Sequence, residues 1–280
     1  MDLAYLDGAY TPLDRVRISP LDRGFLFGDG VYEVIPVYAG RAFRLAAHLA
    51  RLERSLEATR IAVAQRRADW ETLCRTLIDG NGGGDQLLYL QVTRGVAPRR
   101  HAFPDSVPAT IFAMSRSPSP EAGGRRLTAV TADDNRWGRC DIKSICLLPN
   151  VLFRQQAAQS RAAEAILLRD GYVTEGAASN VFVVCDQAVR TPPEGAELLS
   201  GITRGLALEL VPELGLELTQ TPISEAALRG ADEIWLTSSS MEISLVTELD
   251  GAPVGTAGSG PVWTQVSAAF ADFKQRHRGS

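Results

Sequence analysis

Residues 115–124, Ser-Arg-Ser-Pro-Ser-Pro-Glu-Ala-Gly-Gly, break the chain into two parts. Proline lacks the backbone donor and glycine relaxes φ, so neither a helix nor a central strand runs through such a stretch. A boundary there predicts an N-terminal α/β domain over 1–117, a linker over 118–122 and a larger C-terminal domain over 123–280. Strand and helix signals mix on both sides of it. Residues 3–6 and 9–10 flank the turn Asp7-Gly8, and strands are expected over 30–38, 87–94 and 109–114. Over 44–59 the residues Leu45, Leu49, Leu52 and Leu56 recur at spacings of three and four, which predicts an amphipathic helix with Arg51, Glu53 and Arg54 off its apolar face. A second helix over 69–78 stops at Asp79-Gly-Asn-Gly-Gly-Gly. Beyond the linker, strands are expected over 127–131, 165–169, 172–175, 180–184 and 234–237. Helices are expected over 150–163, capped by Asn150, over 203–211 and over 262–274. The class is mixed α/β (α+β), without the long alternation of a doubly wound nucleotide fold, and Gly28-Asp29-Gly30 is not a dinucleotide fingerprint.

Composition narrows the function. The chain is 45% hydrophobic and 22% charged, with net charge −4 and a pI near 5.5. This is a globular composition with no basic stripe for nucleic acid, and no apolar run is long enough to span a bilayer. The N-terminus has no basic or apolar leader, so the expectation is a cytoplasmic protein with neither nucleic-acid nor membrane partners. Cys74, Cys140, Cys146 and Cys185 form no CxxC pair, and the histidines are His48, His101 and His277. No metal site is expected, and the thiols read as reduced and mostly buried.

Lysine is the scarce residue. Only Lys143 and Lys274 are present, while the remaining 27 of the 29 basic residues are arginines. Arginine cannot give up its proton in a protein, whereas a lysine in a low-dielectric site can. Lys143 lies in the apolar run Asp141-Ile-Lys-Ser-Ile-Cys-Leu-Leu and is the natural candidate for Schiff-base chemistry. Further along, Glu175 stands among small residues in Tyr172-Val-Thr-Glu-Gly-Ala-Ala-Ser-Asn, where it reads either as a turn acid before Gly176 or as a carboxylate that keeps a ring nitrogen protonated. The stretch Leu199-Ser-Gly-Ile-Thr-Arg reads as a loop entering a helix. Its N–H groups near Ile202 and Thr203 suit an anion such as phosphate, and Thr203 also suits an ordinary N-cap. The run Thr237-Ser-Ser-Ser offers hydroxyl donors, and Arg51 either meets the same anion or faces solvent.

The strings Arg23-Gly-Phe-Leu-Phe-Gly-Asp-Gly-Val-Tyr-Glu-Val, Asp141-Ile-Lys-Ser, Val173-Thr-Glu-Gly-Ala-Ala-Ser-Asn-Val-Phe and Gly201-Ile-Thr-Arg closely resemble the class IV pyridoxal-phosphate aminotransferases. That group includes D-amino-acid aminotransferases, branched-chain aminotransferases and aminodeoxychorismate lyases. The resemblance runs from about residue 3 to the terminal helix. It implies fold type IV, a small α/β domain plus a larger β-barrel-like domain with flanking helices. It also implies pyridoxal 5'-phosphate bound as a Schiff base on Lys143, with Glu175 at the ring nitrogen. The phosphate would be held by Arg51, the N–H groups of Ile202 and Thr203, and Ser238 and Ser239, with Leu199 in the same site.

The loop Thr93-Arg-Gly-Val-Ala-Pro-Arg-Arg-His-Ala-Phe-Pro resembles the D-amino-acid branch, in which an arginine and a histidine two apart bind the substrate carboxylate. Arg99 and His101 match that pair. The resemblance implies that the pair reaches the partner subunit's site, where Tyr32 completes the trap, and hence a homodimer. The implied reaction is ping-pong transamination between a D-amino acid (D-alanine, D-glutamate or D-aspartate) and a 2-oxo acid such as 2-oxoglutarate or pyruvate. Aminodeoxychorismate lyase and branched-chain aminotransferase are the alternatives. Ala177, Ala178, Met241 and Arg100 depart from the pattern of the D-amino-acid branch and bear on side-chain preference.

Overall fold

The computed structural model describes residues 2–118, 123–256 and 260–279, so the expected linker at 118–122, apart from Pro118, lies outside the described residues. The chain forms two compact units. One gathers Met1–Ser119, Ile142–Cys146 and His277–Ser280, and the other gathers Pro120–Asp141 and Leu147–Arg276.

The first unit contains β1 (Leu3–Leu6), β2 (Ala9–Pro12), the short α1 (Arg23–Phe27), β3 (Gly30–Tyr38), β4 (Arg41–Ala42), α2 (Leu45–Thr59), α3 (Arg67–Gly80), β5 (Gln86–Thr93) and β6 (Thr110–Arg116). Its six strands form one antiparallel sheet in the order β2-β1-β6-β5-β3-β4. Val31, Ile35 and Val37 on β3 and Leu88, Leu90 and Val92 on β5 point to one face, where they pack against Leu49, Leu52 and Leu56 of α2 and Trp70, Leu73 and Leu77 of α3. Burial of each such side chain contributes about 1.5–3 kcal/mol. The period of two on β3 places Glu33 in that same buried row.

Arg51 departs from the sequence expectation. It is only 4% exposed and lies on the inner face of α2 with His48 and Ser55. The leucine spacing alone put it outside. The Glu33 carboxylate opposite α2 supplies the counter-charge that makes burial of an arginine tolerable.

The two-residue β4 covers only the end of β3, pairing with Val37 and Tyr38. The beginning of that edge is taken by the Lys143 segment. Tyr32 N donates to Lys143 O at 3.0 Å, Ile145 N to Gly30 O at 3.0 Å, and Val31 bridges Ser144. Gly30 is required here, since a Cβ would stand 2.7 Å from Val92 O and 2.9 Å from Ile145 Cδ1.

The second unit contains β7 (Arg126–Asp133), α4 (Leu148–Gln159), β8 (Glu164–Arg169), β9 (Tyr172–Gly176), β10 (Asn180–Cys185), β11 (Ala188–Thr191), α5 (Ile202–Glu213), β12 (Leu218–Gln220), α6 (Glu225–Arg229), β13 (Glu233–Ser238), β14 (Glu242–Leu249), β15 (Ala252–Pro253) and α7 (Pro261–Gly279), whose last residues count with the first unit. The strand order is β12-β11-β10-β13-β14-β7-β8-β9, with β15 on β14. The neighbours β7/β8, β7/β14 and β11/β12 are parallel. β9 ends the order while β10 lies near its other end, yet a tight turn closed by Gly176 N to Ser179 O at 2.6 Å joins them. The sheet therefore curls back on itself, which accords with the barrel-like form expected.

Two local expectations change. The helix expected at 150 starts earlier, because Pro149 fits the first turn, where its missing N–H costs nothing. Asn150 is thus inside α4 and donates to Ala177 O at 2.8 Å rather than capping the helix. No strand was expected at 242–249, where β14 joins β13 to β7. Among the described residues no helix is long and apolar enough to cross a membrane.

Candidate active site

In the first unit the Lys143 segment lies against β3 and α2. Lys143 N donates to Ser55 Oγ at 3.3 Å, and its Nζ stands 4.1 Å from the centroid of the Tyr32 ring. Tyr32 also packs on Tyr89 at 5.8 Å. Next to Tyr32, Glu33 turns inward and accepts from Arg51 Nε at 2.8 Å and Nη2 at 2.7 Å, while His48 Nδ1 lies 2.8 Å from Oε2. Burial pushes the Glu33 carboxyl up, but the Arg51 guanidinium and His48 more than offset this and hold it at about 2. Burial holds His48 below its ordinary value against the pull of Glu33, and the charges of Arg51 and Lys143 push the same way. The structure thus brings Lys143, Tyr32 and Arg51 together around a buried charged cluster.

Arg99 and His101 gather elsewhere in the first unit, on the Phe27 ring, at 5.1 Å and 5.4 Å from its centroid. Both are exposed, as is Arg100 between them. Behind the loop lies Asp29, which accepts from Arg23 Nε at 2.7 Å and from Arg94 Nε and Nη2 at 2.9 Å each. Burial raises the Asp29 carboxyl, but the two guanidinium groups outweigh it and leave the group below its usual value.

In the second unit Glu175 closes β9. Its Oε1 accepts from Arg136 Nη1, and its Oε2 accepts from Leu199 N at 3.0 Å and Asn180 Nδ2 at 3.3 Å. Asn180 Nδ2 also donates to Leu199 O at 2.8 Å, which ties the loop before α5 to the start of β10. Across the sheet Asn180 stands opposite Thr237, the residue before Ser238 and Ser239. The structure therefore brings Glu175, Leu199, the entrance of α5 and the end of β13 together. Gly201 is the N-cap of α5, with Ile202 and buried Thr203 as its first helical residues, so Thr203 is not the cap. Thr237 Oγ1 is buried and has no hydrogen-bond partner among the described residues.

Several residues of these clusters were not singled out from the sequence. Glu33 had a signal, an acid in the buried phase of an alternating strand. Asp134 and Arg136 had none, because a polar run beside a strand does not reveal depth. Asp29 and Arg23 stood in the string that carries the family resemblance, without an assigned role. Of the departures from the D-amino-acid pattern, Ala177 and Met241 are buried, and Met241 belongs to the sheet core.

The family model described as amino-transferase class IV matches residues 30–249. The chain is 42% identical over 253 residues to D-alanine aminotransferase of Bacillus licheniformis, covering 89% of each sequence. It is 35% identical over 283 residues to D-alanine aminotransferase of Staphylococcus aureus (strain MSSA476), covering 99% of each. Among solved structures, the branched-chain amino acid aminotransferase of Escherichia coli superposes with a TM-score of 0.90 at 26% identity, covering 97% of this chain and 94% of that one. The Lys143, Glu175 and α5 strings all fall inside the matched span, and the chain belongs to the class IV aminotransferases.

Proposed function

We propose that this enzyme is a pyridoxal-phosphate-dependent transaminase that moves the amino group of a D-amino acid, of the D-alanine, D-glutamate or D-aspartate type, to a 2-oxo acid. Pyridoxal 5'-phosphate is the cofactor of its family, and the D-alanine aminotransferases at 42% and 35% identity support the substrate class. The observation that carries the chemistry is the setting of Lys143. Its only fellow lysine, Lys274, is bound to Glu242 at 2.6 Å, which leaves Lys143, seated on β3 over Tyr32, as the amine available for the coenzyme.

The donor set suits that coenzyme. The buried Thr237 hydroxyl lacks a partner, and Gly201 offers no side chain over the first N–H groups of α5. An arriving phosphate would supply acceptors to both. We assign the phosphate to Ile202 and Thr203 N–H, Ser238, Ser239 and Arg51, with Leu199 beside them, and the pyridine nitrogen to Glu175. When bound, the coenzyme supplies a sink for the electron pair released as the substrate Cα–H bond breaks.

The protein supplies the rest. Glu175, held by Arg136, Leu199 N and Asn180, keeps a proton on the ring nitrogen. Lys143 Nζ would take the proton from the substrate Cα as a base and afterwards give it up as an acid. Arg99 and His101 hold the α-carboxylate with Tyr32, and the side on which it is pinned selects the D-enantiomer. We place the enzyme in the cytoplasm as a homodimer in which the pair on each subunit serves the other's site.

A half-reaction panel tests this reading. D-alanine or D-glutamate should convert the coenzyme to its aminated form, while L-valine and L-leucine should leave its absorbance unchanged. The opposite outcome would overturn the substrate assignment.

A further inference from the structure

Arg23 is an arginine with four hydrogen bonds inside the first unit, and three of them go to one loop. Its side chain is 4% exposed. Nε is fixed on Asp29 Oδ2 at 2.7 Å, while Nη1 donates to Arg100 O at 2.6 Å and to Ala102 O at 3.4 Å, and Nη2 donates to His101 O at 3.3 Å. Three consecutive carbonyls thus converge on one planar cation, and they belong to the residues that carry and follow the Arg99 and His101 pair. The backbone of Arg23 adds a bond to the foot of the same loop, N to Gly95 O at 2.9 Å. The guanidinium also lies 4.9 Å from the centroid of Phe27, the ring on which Arg99 and His101 rest.

An exposed loop that must present two side chains at one spacing loses affinity if it has to be ordered at the moment of binding. Here the ordering is done when the chain folds. We propose that Arg23 is the positioning residue of the carboxylate trap, holding the backbone of residues 100–102 so that Arg99 and His101 present a preset pair to the substrate carboxylate, with Phe27 as their common platform. The inference rests on the reading of Arg99 and His101 as the carboxylate ligands. Arg23 touches neither substrate nor coenzyme and acts through the loop. Lysine is no substitute, because a single ammonium cannot span Asp29 and three carbonyls in the plane that the guanidinium fork provides. Loss of Arg23 does not strand a buried charge, since Asp29 keeps both bonds to Arg94. Its variants are therefore expected to fold.

The test uses coenzyme-loaded Arg23→Gln and Arg23→Lys enzymes, with propionate as a carboxylate that carries no amine. Expected are a dissociation constant for propionate and a KM for D-alanine each raised about tenfold, the effect of roughly one well-placed charged hydrogen bond. With them kcat should stay within about threefold and the coenzyme–lysine absorbance should be unchanged. Propionate affinity within about twofold of wild type in both variants would overturn the inference, as would a fall in kcat matching the fall in kcat/KM. Should Arg23→Gln fail to fold, Arg23→Lys alone decides by the same criteria. Arg99→Ala is measured alongside. If it raises the propionate constant and the Arg23 variants do not, the positioning role fails and the trap stands. If Arg99→Ala binds propionate normally, the trap reading falls and takes this inference with it.

Discussion

Arg136 bridges Glu175 to Asp134. Its Nη1 donates to Glu175 Oε1, while Nε and Nη2 lie 2.9 Å and 2.8 Å from the two oxygens of Asp134. Both salt-bridge partners are almost fully buried, with side-chain exposures of 8% for Glu175 and 0% for Asp134. Burial lowers the arginine's proton affinity, but the two carboxylates more than reverse this, so the group stays charged and the proposed coenzyme carboxylate stays aimed.

Arg136→Met should therefore destabilise the protein by about 2–4 kcal/mol, because two buried carboxylates each lose a charged partner, although Asp134 keeps Arg169 at 3.2 Å. Urea unfolding monitored by circular dichroism measures this, and a loss below about 1 kcal/mol would contradict the bridge. Glu175→Gln keeps the shape but not the charge. It should lower kcat about 100-fold, read by steady-state rates with D-alanine, and cost about 1–3 kcal/mol of stability, because the new amide NH2 has to face either Arg136 Nη1 or Leu199 N, both donors.

Lys143→Ala should retain the fold and lose transamination by a factor of about 10,000 or more. Borohydride treatment of the loaded wild-type enzyme should place a pyridoxyl group on Lys143, identified by peptide mass. An adduct elsewhere, or activity surviving in the variant, would defeat the assignment.

Acid should expose the cluster under α2. Glu33 is held at about 2 against an ordinary 4.5, so its contribution is complete above pH 4.5 and is lost as pH falls toward 2. The difference corresponds to about 3 kcal/mol at most. His48 is held below its ordinary 6.5 and adds to the loss in the same direction, beginning as pH falls below that value. Unfolding free energy measured from pH 7 down to pH 3 should fall steeply in the wild type and more gently in Glu33→Gln, which should be the less stable protein at pH 7.

Gly30→Ala should damage activity more than its size suggests. The new methyl would meet the Val92 carbonyl of β5 at 2.7 Å, a backbone contact that cannot give, so the start of β3 has to shift, and with it Gly30 O, to which the Lys143 segment is bonded through Ile145 N. A stability loss of about 1–3 kcal/mol and a kcat reduced tenfold or more are expected, from thermal melts and steady-state rates.

Much of the secondary structure was legible in the chain. The alternation at Gly30–Tyr38 and the leucine spacing of Leu45–Thr59 are local signals, and the elements follow them. The uniqueness of Lys143, the loop at Leu199 and the Arg99-Arg100-His101 run could be found in the same way, because each is a matter of residue type and neighbours along the chain. What could not be found there is partnership across it. That Arg51 turns inward depends on Glu33, 18 residues away, that Glu175 is held by Arg136 spans 39, and that Arg23 grips the loop at 100–102 spans 77 to 79. Periodicity reports which face of an element is apolar. It does not report which buried charge will find a counter-charge, since that depends on how strands order in the sheet and which edge β4 leaves open for the Lys143 segment. Those long-range pairings set the dielectric and the direction of each functional side chain, and only the folded sheet decides them.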